Sequence, residues 1–259
     1  MLFDTHTHVN FPEFDPDREQ ILKDAQDQGL WMTNVGCDYK SSKSAVELAS
    51  KFKDGVYATV GQHPTDSKEH FDEEIYSALI TDKVVAIGEC GLDYYHQKEE
   101  AGINKQKAEF IKQIHFAQKL GLPLVIHCRD AYHDLIEILQ AEYTGQAIIH
   151  SFTDSGDTAK KFLDLGYYIA LNAILIFDKT GRLAEVAKNL PSDRILIETD
   201  APFLSPNRGK RNEPANVKRV AERIAEIREV SLEEVSDLTF TNACRIYQLE
   251  KSPSTGLRT

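Results

Sequence analysis

Five of the nine histidines in this chain lie at or just after the end of a short apolar run, the pattern of a buried strand. These five are His6, His8, His63, His127 and His150. Neutral imidazoles are common ligands of divalent metal ions, so several that converge can hold a cation. The shared position predicts a metal site at one end of a parallel sheet. The histidines without such a placement, which we interpret as structural, are His70, His96, His115 and His133.

The first run ends in the segment Asp4-Thr5-His6-Thr7-His8. Alternate side chains of a strand point to the same face, so His6 and His8 should project together. Two imidazoles on one face can bind a single cation, although surface strands without a metal can show the same spacing.

Carboxylates end two further runs. Glu89 is flanked by glycines, which allow other groups to approach the backbone closely, and its two oxygens can bridge two cations. Asp200 ends the last run, where it can bind a cation and accept a proton from the attacking water. Glu198 shares the face of Asp200 and can either orient a ligating histidine or form an ion pair in the core.

A basic segment, Asn207 to Asn212, follows the last run in a chain whose formal net charge is −11. The loop after the eighth strand of a barrel often binds phosphate, so Arg208, Lys210 and Arg211 are candidate phosphate ligands; a solvated loop is the alternative. The negative net charge argues against a broad electropositive surface that binds nucleic acid. Bound divalent cations can nevertheless supply positive charge to a phosphate substrate.

The elements that must position these residues alternate between short β-branched runs and longer stretches of helical period, as in βα units around a parallel sheet. The predicted strands are Met1–His6, Trp31–Cys37, Val56–Gly61, Val84–Glu89, Pro123–His127, Ala147–Ser151, Tyr167–Leu171 and Ile195–Thr199. The predicted helices are Arg18–Gln28, Ser44–Phe52, Lys105–Leu120, Tyr132–Gln140, Thr158–Leu165, Leu183–Asn189, Asn216–Arg228 and Leu232–Tyr247. In one of them Phe110, Ile114 and Ala117 recur at helical spacing and should face the sheet.

Eight strands in 259 residues match the strand count and the size, about 250 residues, of a TIM barrel. We therefore predict an α/β protein with one (β/α)8 domain over residues 1–259 and a disordered tail from Lys251 to Thr259. The active face of such a barrel lies at the C-terminal ends of its strands, where the histidines collect. An open doubly wound sheet is the alternative, and it is weakened because no glycine-rich dinucleotide fingerprint follows the first strand.

The sequence predicts a cytoplasmic protein with no membrane association and no obligate protein partner. It shows neither a signal peptide nor an apolar segment of about 18 residues. Cys37, Cys90, Cys128 and Cys244 form no CxxC pair, so we expect reduced, inert thiols. Strand alternation should point Cys90 and Cys128 away from the neighbouring ligands.

Taken together, the segments closely resemble the TatD family of metal-dependent deoxyribonucleases, which belongs to the amidohydrolase-like barrel enzymes. The matching blocks run from Met1 to about Leu249 in the family's order. They are Asp4-Thr5-His6-Thr7-His8, Gly61-Gln62-His63-Pro64, Gly88-Glu89-Cys90-Gly91-Leu92-Asp93-Tyr94, Leu122-Pro123-Leu124-Val125-Ile126-His127-Cys128-Arg129, His150-Ser151-Phe152, Glu198-Thr199-Asp200-Ala201-Pro202 and Arg208-Gly209-Lys210-Arg211-Asn212-Glu213-Pro214.

The resemblance implies a site for two divalent cations, with Mg²⁺, Mn²⁺ or Zn²⁺ as candidates. It places His6, His8 and Asp200 on one cation, His127 and His150 on the other, and Glu89 between them. Asp200 and Glu89 would be catalytic, with Asp200 orienting or deprotonating the water. The residues implied to hold phosphate or position the substrate are His63, Arg129, Arg208, Lys210 and Arg211.

Two places depart from the family pattern. Thr153-Asp154 stands where a small residue and a glycine are usual, and Asn172-Ala173 stands where serine and glycine are usual. Neither changes a predicted ligand. Asp154 should repel a phosphate, so both departures bear on how a nucleic-acid strand approaches.

The implied function is hydrolysis of DNA phosphodiesters, exonuclease-like and with single-stranded DNA preferred. One alternative is a two-metal hydrolase of a small ester, lactone or amide, and a variant of it hydrolyses the ester of an aminoacyl transfer RNA. Many such relatives bridge their metals with a carboxylated lysine, and residues 84–89 contain no lysine, which favours the nuclease. A non-catalytic binding protein is disfavoured because all six presumed ligands are present.

Overall fold

The chain winds around a single parallel sheet in a computed structural model that describes residues 1–65, 70–207 and 209–249. Each strand pairs in parallel with the next one along the chain. The strands are β1 (Leu2–Thr7), β2 (Leu30–Asn34), β3 (Val56–Val60), β4 (Val84–Asp93), β5 (Leu124–Arg129), β6 (Ala147–Ile149), β7 (Tyr168–Leu171) and β8 (Ile195–Ile197).

The sheet closes on itself where the chain leaves β8 and lies beside β1. The Asp200 N–H donates to the His6 carbonyl over 2.8 Å, and the His8 N–H donates to the Ala201 carbonyl over 2.7 Å. These bonds join the two strand ends that carry ligands, so closure of the barrel also fixes their relative position. The predicted (β/α)8 fold is confirmed.

Helices fill the connections between the strands, and two more follow β8. They are α1 (Arg18–Asp27), α2 (Tyr39–Ala49), α3 (Glu73–Ser77), α4 (Glu100–Leu120), α5 (Tyr132–Glu142), α6 (Gly156–Asp164), α7 (Ile174–Phe177), α8 (Arg182–Asn189), α9 (Val217–Arg228) and α10 (Leu232–Ile246). In the described part of the chain, no helix has the length and apolarity needed to cross a membrane.

Two short helices, α3 and α7, were not predicted, and α2 begins at Tyr39 rather than Ser44. Periodicity cannot reveal a helix of five residues or fewer, because it completes little more than one turn. The early start of α2 follows from a capping box, in which the Asp38 carboxylate accepts from the Ser41 N–H over 2.6 Å. The predicted tail from residue 251 lies outside the described residues.

The core directly under the strand ends is built by side-chain alternation. Val125 and Ile148 are buried two residues before His127 and His150, so each apolar side chain lies on the same strand face as the histidine that follows it. The cluster that contains them also includes Phe3, which lies near the start of β1 and packs on Phe240 of α10. Helix α10 therefore supports the end of the barrel opposite the histidines.

We predict that Ile114→Ala lowers the free energy of unfolding by about 2–5 kcal/mol, because it opens a cavity between α4 and the sheet. Ile114 is fully buried, as are Phe110 and Ala117, which confirms the predicted stripe. His115→Ala is the matched control, since that side chain is 57% exposed and should change stability little. Chemical denaturation of both variants measures the difference, and equal stabilities would show that α4 does not pack as described.

Candidate metal centre

The six predicted ligands converge at the C-terminal ends of the strands, where all of them except His6 line an open cavity of about 870 Å³. At these strand ends, three sets of described side chains bring donor atoms within 4.8 Å of one another. These sets are His6 with His8 and Glu89, His6 with His150 and Asp200, and His63 with Glu89 and His127. The strand ends thus assemble a compact group of imidazoles and carboxylates, as the sequence predicted.

Around His6 and His8 the donor atoms face one another. The two Nε2 atoms are 3.2 Å apart, and Asp200 Oδ1 lies 3.3 Å from His8 Nε2 and 3.8 Å from His6 Nε2. His8 Nδ1 lies 3.0 Å from the Val35 carbonyl, an arrangement that places the proton on Nδ1 and leaves a lone pair on Nε2. Because that lone pair points at a second imidazole nitrogen and a carboxylate, the donor set fits a cation.

Glu89 lies between this group and the histidines of β5 and β6. Its Oε2 is 3.3 Å from His6 Nε2, whereas its Oε1 is 3.0 Å from His127 Nδ1 and 3.8 Å from His150 Nε2. The two oxygens therefore face different imidazoles, as those of a bridging carboxylate do, while the rings of His6 and His150 stack with centroids 3.5 Å apart.

Only glycine fits at the position before Glu89. Gly88 has a φ of +150°, and a Cβ there would lie 2.4 Å from the Val125 carbonyl oxygen. The glycines around Glu89 thus allow β4 and β5 to approach closely, which brings Glu89 near His127. This confirms the interpretation of the glycines drawn from the sequence.

The charges of the site are mutually dependent. Burial alone would raise the pKa of Glu89, but the imidazoles of His63, His150 and His6 outweigh it and hold the pKa well below its usual range. Burial alone would lower the pKa of His150, but the carboxylates of Glu198 and Glu89 raise it to about 10. The buried carboxylates of the site are therefore balanced by protons on the imidazoles, and a cation would displace these protons.

A buried network of polar groups lies directly behind His150. His150 Nδ1 lies 2.9 Å from Glu198 Oε1, an oxygen that also accepts from the Ser151 N–H over 2.8 Å. The amide nitrogen of Asn172 donates to the same oxygen over 3.1 Å and to Ser151 Oγ over 2.8 Å. A carboxylate next to Nδ1 favours the tautomer of His150 that leaves Nε2 free toward Glu89. The sequence allows Glu198 either to form an ion pair in the core or to orient a ligating histidine, and these contacts favour the second role.

His63 differs from the other imidazoles around Glu89. Its Nδ1 accepts from the Thr65 backbone N–H over 3.2 Å, so the neutral ring carries its proton on Nε2, which lies 3.3 Å from Glu89 Oε1. A protonated nitrogen donates hydrogen bonds and cannot bind a cation. The contacts therefore favour a positioning role for His63 over direct ligation.

Asp93 is a neighbour of the site that sequence reasoning missed. The buried carboxylate places Oδ2 3.2 Å from His127 Nε2 and 2.8 Å from His96 Nδ1. It thus orients His127 from behind, as Glu198 orients His150. The position of Asp93 in the Gly88–Tyr94 block, which matches the family, could have identified it. His96, which the sequence analysis interprets as structural, also lines the cavity beside Asp93.

Cys37 is a second missed neighbour. Its Sγ lies 3.7 Å from Glu89 Oε2 on the cavity wall, and burial, with the carboxylates of Glu89 and Asp200, raises the pKa of the thiol. The position of Cys37 at the end of the second predicted strand could have identified it.

The other cysteines lie in different environments. Cys90 is fully buried beside the Val125 carbonyl, away from the ligands as predicted, whereas Cys128 contributes to the cavity wall. All four cysteines are free thiols.

The predicted phosphate contacts separate into distinct environments. Arg129 lines the cavity, and Lys210 is exposed on the loop after β8. Arg211 instead forms a bidentate ion pair with Asp17, at 2.9 and 2.6 Å, and covers the Phe14 ring, so its guanidinium is already engaged. Arg208 lies outside the described residues.

Of the residues that depart from the family pattern, Asn172 enters the network behind His150, as described above. Asp154 is half-buried, and it is Thr153, the residue before it, that lines the cavity. The expected repulsion of phosphate by Asp154 stays a prediction.

An α/β barrel whose strand ends carry a buried group of histidines and carboxylates defines a metal-dependent barrel hydrolase. Residues 3–248 match the model of the TatD-related DNase family, and the chain belongs to that family.

Similar proteins cover nearly the whole chain. The metal-dependent hydrolase YabD of Bacillus subtilis is 40% identical, with 96% of this chain and 100% of YabD covered. The 3'-5' ssDNA/RNA exonuclease TatD of Pectobacterium parmentieri is 31% identical, with 96% of this chain and 100% of the exonuclease covered. The crystal structure of YJJV, a TatD homolog from Escherichia coli, superposes with a TM-score of 0.87 at 26% identity, covering 96% of this chain and 98% of YJJV.

We predict that Glu198→Gln weakens metal binding by about 10–100-fold, because it keeps an acceptor near His150 but removes the charge that sets the ring's tautomer and basicity. Glu142→Gln is the matched control, since Glu142 lies 3.2 Å from the exposed His115 in a pair at the surface. Calorimetric titration of the apo proteins with Zn²⁺ or Mn²⁺ measures the change. Unaltered affinity in Glu198→Gln would contradict a role of Glu198 in orienting the ligand.

Metal binding should also release protons at neutral pH. In the apo protein His150 is protonated below its raised pKa of about 10, and a cation requires the neutral ring. The apparent affinity should therefore rise with pH from neutral toward about 10 and level off above it. Calorimetry in buffers with different ionisation enthalpies counts the released protons, and binding heats that do not depend on the buffer would refute this.

Proposed function

We propose that this protein is a two-metal exonuclease that hydrolyses phosphodiester bonds at an end of single-stranded nucleic acid. The observation that carries the proposal is the position of Glu89, whose Oε2 faces His6 and whose Oε1 faces His127 and His150. His6, His8 and Asp200 would hold one cation and His127 and His150 the other, with Glu89 shared. When bound there, two cations would lower the pKa of the attacking water and neutralise charge on the phosphate and the leaving oxygen.

Asp200 is the proposed proton acceptor. Burial alone would raise its pKa, but the hydrogen bond with His8 and the charges of His150 and His6 lower it, so Asp200 is ionised at neutral pH. Its carboxylate lines the cavity, where it can orient a water molecule and take its proton. Glu198 and Asp93 position the ring planes of His150 and His127 from behind.

Substrate would be held by groups on the cavity wall. The Nε2–H of His63 and the guanidinium of Arg129 can donate to phosphate oxygens, and Lys210 can contribute charge from the loop after β8. We leave Arg211 out of this set because Asp17 already neutralises it. The similarity to an exonuclease that acts on single-stranded DNA and RNA supports the choice of substrate.

The open cavity also supports a single strand over a duplex, because a rim of βα loops admits one chain end more readily. Histidine-rich ligation suits Zn²⁺ or Mn²⁺, and phosphodiester chemistry allows Mg²⁺. We further propose the cytosol as the site of action, where the four free thiols would stay reduced.

The test is a screen of the metal-reconstituted protein on end-labelled single-stranded DNA, duplex DNA, RNA and simple esters. We expect single-stranded substrates to be shortened stepwise from one end and chelator to abolish the reaction. Turnover of the esters with no cleavage of any nucleic acid would reject the nuclease and favour a small-molecule hydrolase.

In the same screen Glu89→Gln should fold normally but lose most bound metal and activity, because a neutral amide cannot bridge two cations. Glu47→Gln is the control, since Glu47 is 65% exposed on α2. Metal analysis and thermal unfolding accompany the assay. Wild-type turnover and metal content in Glu89→Gln would reject Glu89 as the bridge.

A further inference from the structure

An aromatic wall stands beside the candidate metal ligands on one side of the cavity. Phe11 stacks on the ring of His8, with centroids 4.5 Å apart and planes inclined by 25°. Phe203 approaches the same histidine edge-on at 6.1 Å and Phe11 at 6.5 Å. Both phenylalanines line the cavity, so the ligands are bordered by flat apolar surface as well as by polar groups.

Phe203 is unusual in its exposure. It is 49% exposed, and it is the one large exposed apolar side chain of the described residues that lines this cavity. The others, Met1, Ile75, Tyr95 and Phe177, do not line it. Single exposed apolar residues are common on proteins, but this one faces a site rather than open solvent.

The backbone holds Phe203 at a fixed place relative to the ligands. Its N–H donates to the Asp200 carbonyl over 2.8 Å, and the preceding carbonyl, of Pro202, accepts from the Asn212 N–H over 3.0 Å. Asn212 is itself fully buried and donates through its side chain to the Thr199 carbonyl over 2.9 Å. The exposed ring is thus part of the same rigid turn that presents Asp200.

The wall across the cavity has the opposite chemistry. Arg129, at the end of β5, lines the cavity, and its guanidinium lies 3.8 Å from the ring centroid of Tyr95 in the loop after β4. The strands pair in chain order around a closed barrel, so the ends of β4 and β5 stand opposite those of β8 and β1. A flat aromatic surface and a cation therefore flank the candidate metal ligands from opposite sides.

We propose that Phe203, backed by Phe11, stacks the base of the terminal nucleotide of the substrate strand. The inference rests on the proposed function and adds a base subsite to it. With the scissile phosphate over Glu89, the Arg129 guanidinium opposite is placed for the next phosphate along the strand. Base stacking on an aromatic ring is sequence-tolerant, because every base has a π-face, so this subsite would accept any terminal base.

The test compares Phe203→Ala, Phe203→Leu and Phe203→Trp on two single-stranded oligonucleotides that differ only in whether the terminal nucleotide carries its base. We expect Phe203→Ala and Phe203→Leu to raise KM for the base-bearing end about tenfold and Phe203→Trp to retain tight binding. On the abasic end the penalty of both substitutions should shrink. Phe177→Ala, which removes a 46% exposed ring outside the cavity, should leave KM unchanged.

A binding measurement without turnover completes the test. A fluorescent base analogue at the strand end should be quenched on binding the wild-type protein and not on binding Phe203→Ala, while metal content stays the same. An equal rise of KM for both ends, or full retention by Phe203→Leu, would overturn the subsite. Failure of the wild-type protein to shorten either oligonucleotide would instead reject the proposed nuclease.

Discussion

The architecture of the site depends on one buried carboxylate. The side chain of Glu89 is 5% exposed, and an ionised carboxylate in such a place is strongly unfavourable unless positive charge or hydrogen-bond donors surround it. Imidazoles from β1, β3, β5 and β6 all approach it, and the glycine before it lets β4 lie against β5 closely enough for His127 to do so. A cation on either side of Glu89 would compensate the negative charge of this carboxylate, so that fewer of the imidazoles would need to be protonated.

The charge balance around Glu89 requires that the barrel closes accurately, because the ligands lie on the first and last strands of the chain as well as on those between them. At the closing edge, both oxygens of the fully buried Asp4 carboxylate accept from Thr199, one from its N–H over 2.8 Å and one from its hydroxyl over 2.5 Å. Thr199 lies between Glu198 and Asp200, so this contact sets the strand end that carries both. Asp4, two positions before His6, thereby helps to place the ligand Asp200 and the neighbouring Glu198, nearly the whole chain away.

The sequence was most informative where local rules decide the outcome. The period of two along a strand and the C-terminal position on a barrel were enough to predict the eight strands and to bring His6, His8, His127 and His150 together around Glu89. Contacts between segments far apart in the chain were not predictable in this way. The pairing of Arg211 with Asp17 and the approach of Asp93 to His127 depend on how loops meet across the rim, which no periodicity encodes.

Asn172, at a position where the family resemblance implies a serine, supports the site from behind His150. A serine hydroxyl donates one hydrogen bond, whereas the Asn172 amide donates two, to Ser151 Oγ and Glu198 Oε1, and its oxygen accepts from the Ile174 N–H over 3.1 Å at the start of α7. One side chain therefore links the end of β6, the carboxylate behind His150 and a short helix whose first residue lines the cavity. Asn172 thereby couples the orientation of a candidate metal ligand to the cavity wall that would meet the substrate.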